Sequence, residues 1–192
     1  GTCLEKRQRR ERDGVTMQVN SNRLPDLVGS IYDCIPDSTK WQSTLDDIRV
    51  LCGGCIATLA VHDLPTGYAR FSVACGETGL LEPLRETNGA DLIFYSAVPR
   101  MELDVPQTVD SIYALEGPGM RREWLSSRLA TEWAKPNQLD DFIWLPVMKQ
   151  PGRIGSLVVI TREERPQITP EDLETVSVLA PHVRRAVTIG DL

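Results

Sequence analysis

Two histidines, His62 and His182, are all the imidazole this chain offers, and that narrows acid–base chemistry at once. A nucleophile–His–carboxylate relay would have to run through one of them, yet no Gly-x-Ser-x-Gly turn is present, and Gly155-Ser156 lies inside a β-rich run. His62-Asp63 reads as a strand end entering a turn, and His182 follows Pro181 in a helical stretch. The acidic pairs Asp46-Asp47, Asp140-Asp141 and Glu163-Glu164 read as solvated ends of elements with no partner demanding proton transfer. No catalytic residue is assigned, and the expectation is a protein that is not an enzyme.

The five cysteines are Cys3, Cys34, Cys52, Cys55 and Cys75. An odd number at irregular spacing suits a reducing compartment, so a cytoplasmic location is expected. Cys52-Gly-Gly-Cys55 has the spacing of a redox pair or half a zinc site. A second pair or a suitably spaced His is missing, so no metal is expected. The pair stands at the C-terminal end of a helix pattern, where the dipole raises a thiol pKa instead of lowering it. A structural role is favoured, with redox sensing by Cys52, Cys55 and Cys75 kept as an alternative. Gly117-Pro118-Gly119, ahead of Arg121 and Arg122, matches neither a P-loop nor a dinucleotide fingerprint and reads as a loop and a solvated first turn.

The aromatic residues carry more information. Phe71, Phe94, Tyr95 and Tyr113 precede Trp124, Trp133, Phe142 and Trp144, concentrated in two hairpin patterns and the irregular stretch between them. All but Phe94 are taken as candidate pocket lining for a small, largely apolar ligand. The competing reading of the same rings is a filled core. No cofactor is implied.

The elements that would position these rings follow from periodicity and breakers. Leu27, Val28, Ile31, Tyr32 and Ile35 form a helical stripe ended by Pro36; Asp37 and Ser38 then open a helix with Trp41, Leu45, Ile48 and Leu51 inward, stopped by Gly53-Gly54. Cys55–His62 and Tyr68–Cys75 flank a turn-forming Asp63–Gly67 and predict an antiparallel hairpin. Residues 78–100 read as helical and loop-like, and Gln107–Leu115 as a third strand. A helix is expected over Met120–Ala134, then a second hairpin of Asp141–Lys149 and Arg153–Arg162 around Gln150-Pro151-Gly152. Thr169-Pro170 opens a final helix with the stripe Leu173, Val176, Leu179, Val183, Ala186 and Val187, in which Pro181 is expected to place a kink. The fold class is α+β: a central antiparallel sheet, the N- and C-terminal helices on one face and irregular helical segments on the other.

Composition sets the outer bounds. The chain has 192 residues, 21 Lys and Arg against 27 Asp and Glu, a net charge of −6 and 41% hydrophobic content. An acidic body is unsuited to coating a phosphate backbone. The longest apolar run falls well short of the roughly 20 residues that span a bilayer, so no membrane contact is expected. Basic residues Lys6, Arg7, Arg9, Arg10 and Arg12 crowd the start, and 1–23 is read as a charged extension, flexible or helical. Residues 24–192 are read as one domain.

Several short segments carry a resemblance. Leu27-Val-Gly-Ser-Ile-Tyr-Asp33, Trp41 after Pro36-Asp37, the stretch from Arg122-Glu-Trp-Leu125 to Trp133-Ala-Lys-Pro136, and the ending Leu179-Ala-Pro-His-Val-Arg-Arg-Ala186 are similar to the amino-terminal PAS- or GAF-like sensory region of bacterial LuxR-type helix-turn-helix regulators. The resemblance implies a small-molecule-binding, dimerising domain, with DNA read by a C-terminal module not found in these residues. It also implies a homodimer through the helices at 27–35 and 170–187. A ligand-free interaction or dimerisation module is the alternative.

Overall fold

The computed structural model describes residues 23–64, 66–86, 93–164 and 167–190. The charged extension and Cys3 lie outside the described residues, Arg23 apart.

Helix α1 covers 23–33 and ends before Pro36. The Asp37 carboxylate then accepts a hydrogen bond from Thr39 N and caps a single 3-10 turn, Ser38–Lys40, that leads into α2 (Trp41–Leu51). Trp41, Leu45 and Ile48, three of the four expected inward residues, are buried, and Leu51 is partly so. Gly53 takes a φ of +60° beyond the helix end, the left-handed cap that glycine adopts without penalty.

Strands β1 (Ile56–Asp63) and β2 (Ala69–Gly76) form the first hairpin, and β4 (Leu139–Gln150) and β5 (Arg153–Arg162) the second. The two hairpins join through β1 and β5, a short strand β3 (Gln107–Thr108) borders β4, and every pairing in the sheet order β2-β1-β5-β4-β3 is antiparallel. Pro146 sits where the β4–β5 register shifts, a place in a strand that tolerates a residue without an N–H.

Alternation then sorts the strand residues between two layers. Ala57, Leu59 and Val61 of β1, with Ile143, Leu145 and Val147 of β4, point into one core. That core is closed by α1, α2 and the long helix α6 (Pro170–Ile189), whose Val176, Leu179, Val183 and Val187 are buried among them. The start of α6 is a capping box: Thr169 accepts from Asp172 N, and the Asp172 side chain accepts from Thr169 N, with Pro170 in the first turn. Helix α6 continues through Pro181 to Ile189. Across this layer Tyr32 of α1 bonds His182 of α6, Oη to Nδ1 at 3.0 Å.

The opposite face carries Phe142, Trp144, Ile154 and Val158, covered by the irregular middle of the chain. This middle comprises α3 (Thr78–Glu86), a 3-10 helix (Ile93–Arg100), α4 (Val109–Glu116), α5 (Pro118–Ser126) and a π-helical turn (Ala130–Ala134). Two expectations are corrected here. The third strand is only Gln107–Thr108, because Thr108 and Ser111 cap each other reciprocally and turn the chain into α4. The helix expected over 120–134 breaks at Ser127, whose ψ of 153° is extended, so Trp124 and Trp133 belong to separate pieces. Among the described residues no helix is long and apolar enough to cross a membrane.

Candidate ligand cavity

The face of the sheet turned away from α1, α2 and α6 holds a cavity of about 90 Å³. Its floor is Thr58 of β1, Phe142 and Trp144 of β4, and Val158 and Ile160 of β5. Phe94 and Tyr95 of the 3-10 helix, Trp124 of α5 and Trp133 of the π-turn close it from above. Strand alternation explains the floor, since Phe142 and Trp144 are two apart, as are Val158 and Ile160. The roof comes from short, irregular pieces because its rings must approach the sheet from several directions.

Phe94 is the hub of the aromatic packing. Its centroid lies 4.9 Å from those of Trp124 and Phe142, and the Phe142 contact is edge-on at 78°. Tyr95 stands edge-on to Trp144 at 5.1 Å and to His62 at 4.6 Å. Two indoles are held by hydrogen bonds to groups outside the cavity lining: Trp144 Nε1 donates to Ser156 Oγ at 2.9 Å and Trp133 Nε1 to the Leu80 carbonyl at 3.1 Å. The lining is therefore pinned in orientation and mostly apolar.

Polar groups reach the cavity at Thr58 and Asp141. Asp141 Oδ1 accepts from Val109 N, the first residue of α4, at 3.2 Å and from Phe142 N at 2.8 Å. A carboxylate at a helix N-terminus is favoured by the dipole. Asp141 is thus a half-buried wall residue, not the solvated strand end its pairing with Asp140 suggests. Burial pushes the Tyr95 hydroxyl pKa up, keeping it neutral. His62, 6% exposed on the same sheet face, has its pKa lowered by burial, and among the described residues its Nδ1 has no hydrogen-bond partner.

A second, more polar cleft of about 580 Å³ adjoins the cavity. Val109, Trp124, Ala134, Leu139 and Asp141 line both, so the two spaces share a wall. Tyr113 stands in this cleft and packs on Phe94 at 6.0 Å, with the Arg121 guanidinium 5.8 Å from its ring centre. Its pKa is pushed up to about 12 by burial, with Arg121 pulling down and Asp110 and Asp141 adding to the rise.

Of the seven aromatic residues expected at a pocket, Tyr95, Trp124, Trp133, Phe142 and Trp144 come together around the cavity. Tyr113 sits in the neighbouring cleft. Phe71 is the exception and is corrected: paired with Val61 on β1, it shares that residue's face and packs into the helix-covered core. The sequence reading missed Thr58 and Asp141 as wall residues. Nothing local marks Thr58, whereas the Val109 N–H met by Asp141 follows from the turn at Thr108.

Cys34, Cys52, Cys55 and Cys75 are buried, and among the described residues no disulfide joins them. Cys52 and Cys75 lie in the helix-covered core and Cys55 in the cluster with Leu80 and Trp133. Burial raises the pKa of Cys34 and Cys55 and lifts Cys75 to about 11. Burial thus disfavours the thiolate at Cys34, Cys55 and Cys75. Among the described residues no group of three His, Cys, Asp or Glu side chains is placed to hold a metal ion.

The fold is similar to that of GAF domains and of the ligand-binding domains of LuxR-type regulators. The VqsR ligand-binding domain of Pseudomonas aeruginosa superposes with a TM-score of 0.60 at 11% identity, over 86% of this chain and 94% of that one. CepR2 of Burkholderia cenocepacia, an N-acylhomoserine lactone dependent LuxR family factor, gives 0.59 at 10% identity over 88% and 93%. The GAF domain of a sensor histidine kinase from Pseudomonas syringae pv. tomato gives 0.52 at 14% over 93% of each chain. No family model matches the sequence. No curated protein matches it either.

Proposed function

We propose that residues 24–192 are the sensory domain of a bacterial LuxR-type transcriptional regulator, binding a small molecule in the aromatic cavity. One observation carries this reading: a cavity walled by Tyr95, Trp124, Trp133, Phe142 and Trp144 lies on the sheet face opposite the terminal helices, in a fold shared with ligand-binding domains. Ligand entry and output are thereby given separate faces. The role is binding, without catalysis, and the setting is the cytoplasm.

Helices α1 and α6 form the homodimer surface in this proposal, with Val178 and Ile189 exposed on α6. DNA contact falls to another module of the regulator, since this domain is acidic. A purely ligand-free interaction module makes the opposite prediction at the cavity.

The test is a thermal-shift screen of metabolites on the protein and on Val158→Phe, which projects a ring into the cavity. Sensing requires a compound that raises the Tm of the protein and not that of the variant. Failure of every compound to distinguish the two leaves the interaction module as the better account, and sedimentation of Val178→Glu, at an exposed position of α6, then reports whether α6 holds a dimer.

A further inference from the structure

We infer that two copies of this chain pair through helix α6 in antiparallel orientation, with Val178 at the two-fold axis. The inference rests on the homodimer reading above and gives that dimer its orientation and register.

One stripe of α6 faces outward. Glu171, Glu174, Val178, His182, Arg185 and Ile189 follow one another at steps of three or four residues, the spacing that stacks side chains along one side of a helix. Val178 and Ile189 are 49% and 58% exposed. Glu171, Glu174 and Arg185 are exposed as well, and His182 is half-buried. The other side of α6 is spent on the core through Val176, Leu179, Val183 and Val187.

Charge along the stripe is divided about Val178. Glu171 precedes it and Arg185 follows it by seven residues, and Glu174 and His182 stand four residues to either side. An antiparallel pair centred on Val178 therefore sets Glu171 against the partner's Arg185 and Glu174 against the partner's His182, each contact occurring twice by symmetry. A parallel pair sets every residue against its own copy, so that carboxylate meets carboxylate and guanidinium meets guanidinium, both repulsive. The stripe is self-complementary in the antiparallel orientation alone. Within one helix the same groups are too far apart to pair, since Glu174 and His182 are separated by about 12 Å along the axis at the helical rise per residue.

Local hydrogen bonds prepare the basic half. Arg185 Nη1 donates to Tyr32 Oη at 3.4 Å, and that hydroxyl lies 3.0 Å from His182 Nδ1. With its oxygen accepting from Arg185, Tyr32 gives its own proton to Nδ1, and a neutral imidazole then carries its proton on Nε2 as a donor. Arg184, next in the chain, is engaged by Asp104 instead. Helix α1 thus fixes a pair of donors at one end of the stripe, and carboxylate acceptors stand at the other.

The experiment is sedimentation equilibrium of the whole chain and of charge-exchange variants. Glu171→Arg and Arg185→Glu are each expected to weaken the dimer about tenfold or more, because each turns two attractions into two repulsions. Both changes in one chain restore the contacts with their signs exchanged, so the double variant is expected to dimerise within about threefold of the unmodified chain. Both side chains are exposed, and a native far-ultraviolet circular dichroism spectrum for each variant separates loss of pairing from loss of fold. A double variant as weak as the single ones, or single variants that dimerise like the unmodified chain, overturns the antiparallel register. Val178→Glu separates that register from the dimer itself, since it places two carboxylates on the axis in either orientation. If Val178→Glu dissociates the dimer while charge exchange has no effect, the α6 dimer stands and its antiparallel register falls; if the unmodified chain is a monomer, or Val178→Glu stays dimeric, both fall.

Discussion

Replacing Trp144 by Phe tests the cavity floor at its most constrained point. The indole Nε1 donates to Ser156 Oγ at 2.9 Å, and Ser156 is 1% exposed. Removing the donor strands a buried hydroxyl, at a cost of about 1–3 kcal/mol. Excising part of the ring also leaves a void on the order of 40 Å³, adding about 1 kcal/mol at the cavity-volume slope. The expected loss is about 2–4 kcal/mol, seen in urea unfolding followed by far-ultraviolet circular dichroism. Ser156→Ala strands the indole in turn, so the double variant should fall short of the summed losses by about 1–2 kcal/mol. Additive single-variant losses would refute this account of the floor.

Three further outcomes are expected. Gly76 has a φ of +131°, and a Cβ there would overlap the Cys55 carbonyl, so Gly76→Ala should cost about 2 kcal/mol or more in denaturant unfolding. Arg184 Nε of α6 donates to both Asp104 oxygens at 2.9 and 2.8 Å; Arg184→Ala should cost only about 0.5–1 kcal/mol at this partly exposed pair, while hydrogen exchange rises at residues 101–106. His62 is buried with its pKa lowered, so the unfolded chain takes up the proton first, near pH 6.5. Stability is therefore unaffected by His62 above that pH and declines as pH falls from there toward the lower folded value. In His62→Gln that acid-side decline should shrink, as read from Tm at pH 5 to 7.

The parts of the fold legible in the sequence are those governed by local rules. The Thr169-Pro170 start of α6, the stripe from Val176 to Val187, and the two hairpins each depend on caps, turns and periods within a dozen residues. The strand expected after Gln107 failed because alternation over Gln107–Leu115 resembles a strand, while the Thr108–Ser111 capping box wins locally once Asp141 receives Val109 N. The break at Ser127 was hidden for a similar reason: Trp124, Leu125, Leu129 and Trp133 keep helical spacing across it, though the chain does not.

What residue order alone determined is which segments are helix or hairpin, which rings are available, and how little acid–base chemistry two histidines permit. Which rings meet was decided by tertiary structure. Strand pairing sets face by register, so Phe71, opposite Val61, goes to the helix-covered core, while Phe142 and Trp144 go to the cavity. A shift of one residue in either pairing would exchange those faces, and no pattern within a single strand records the register of its neighbour. Asp141 shows the same for charge: only the meeting of β4 with the start of α4 turns a strand-end carboxylate into a wall of the cavity.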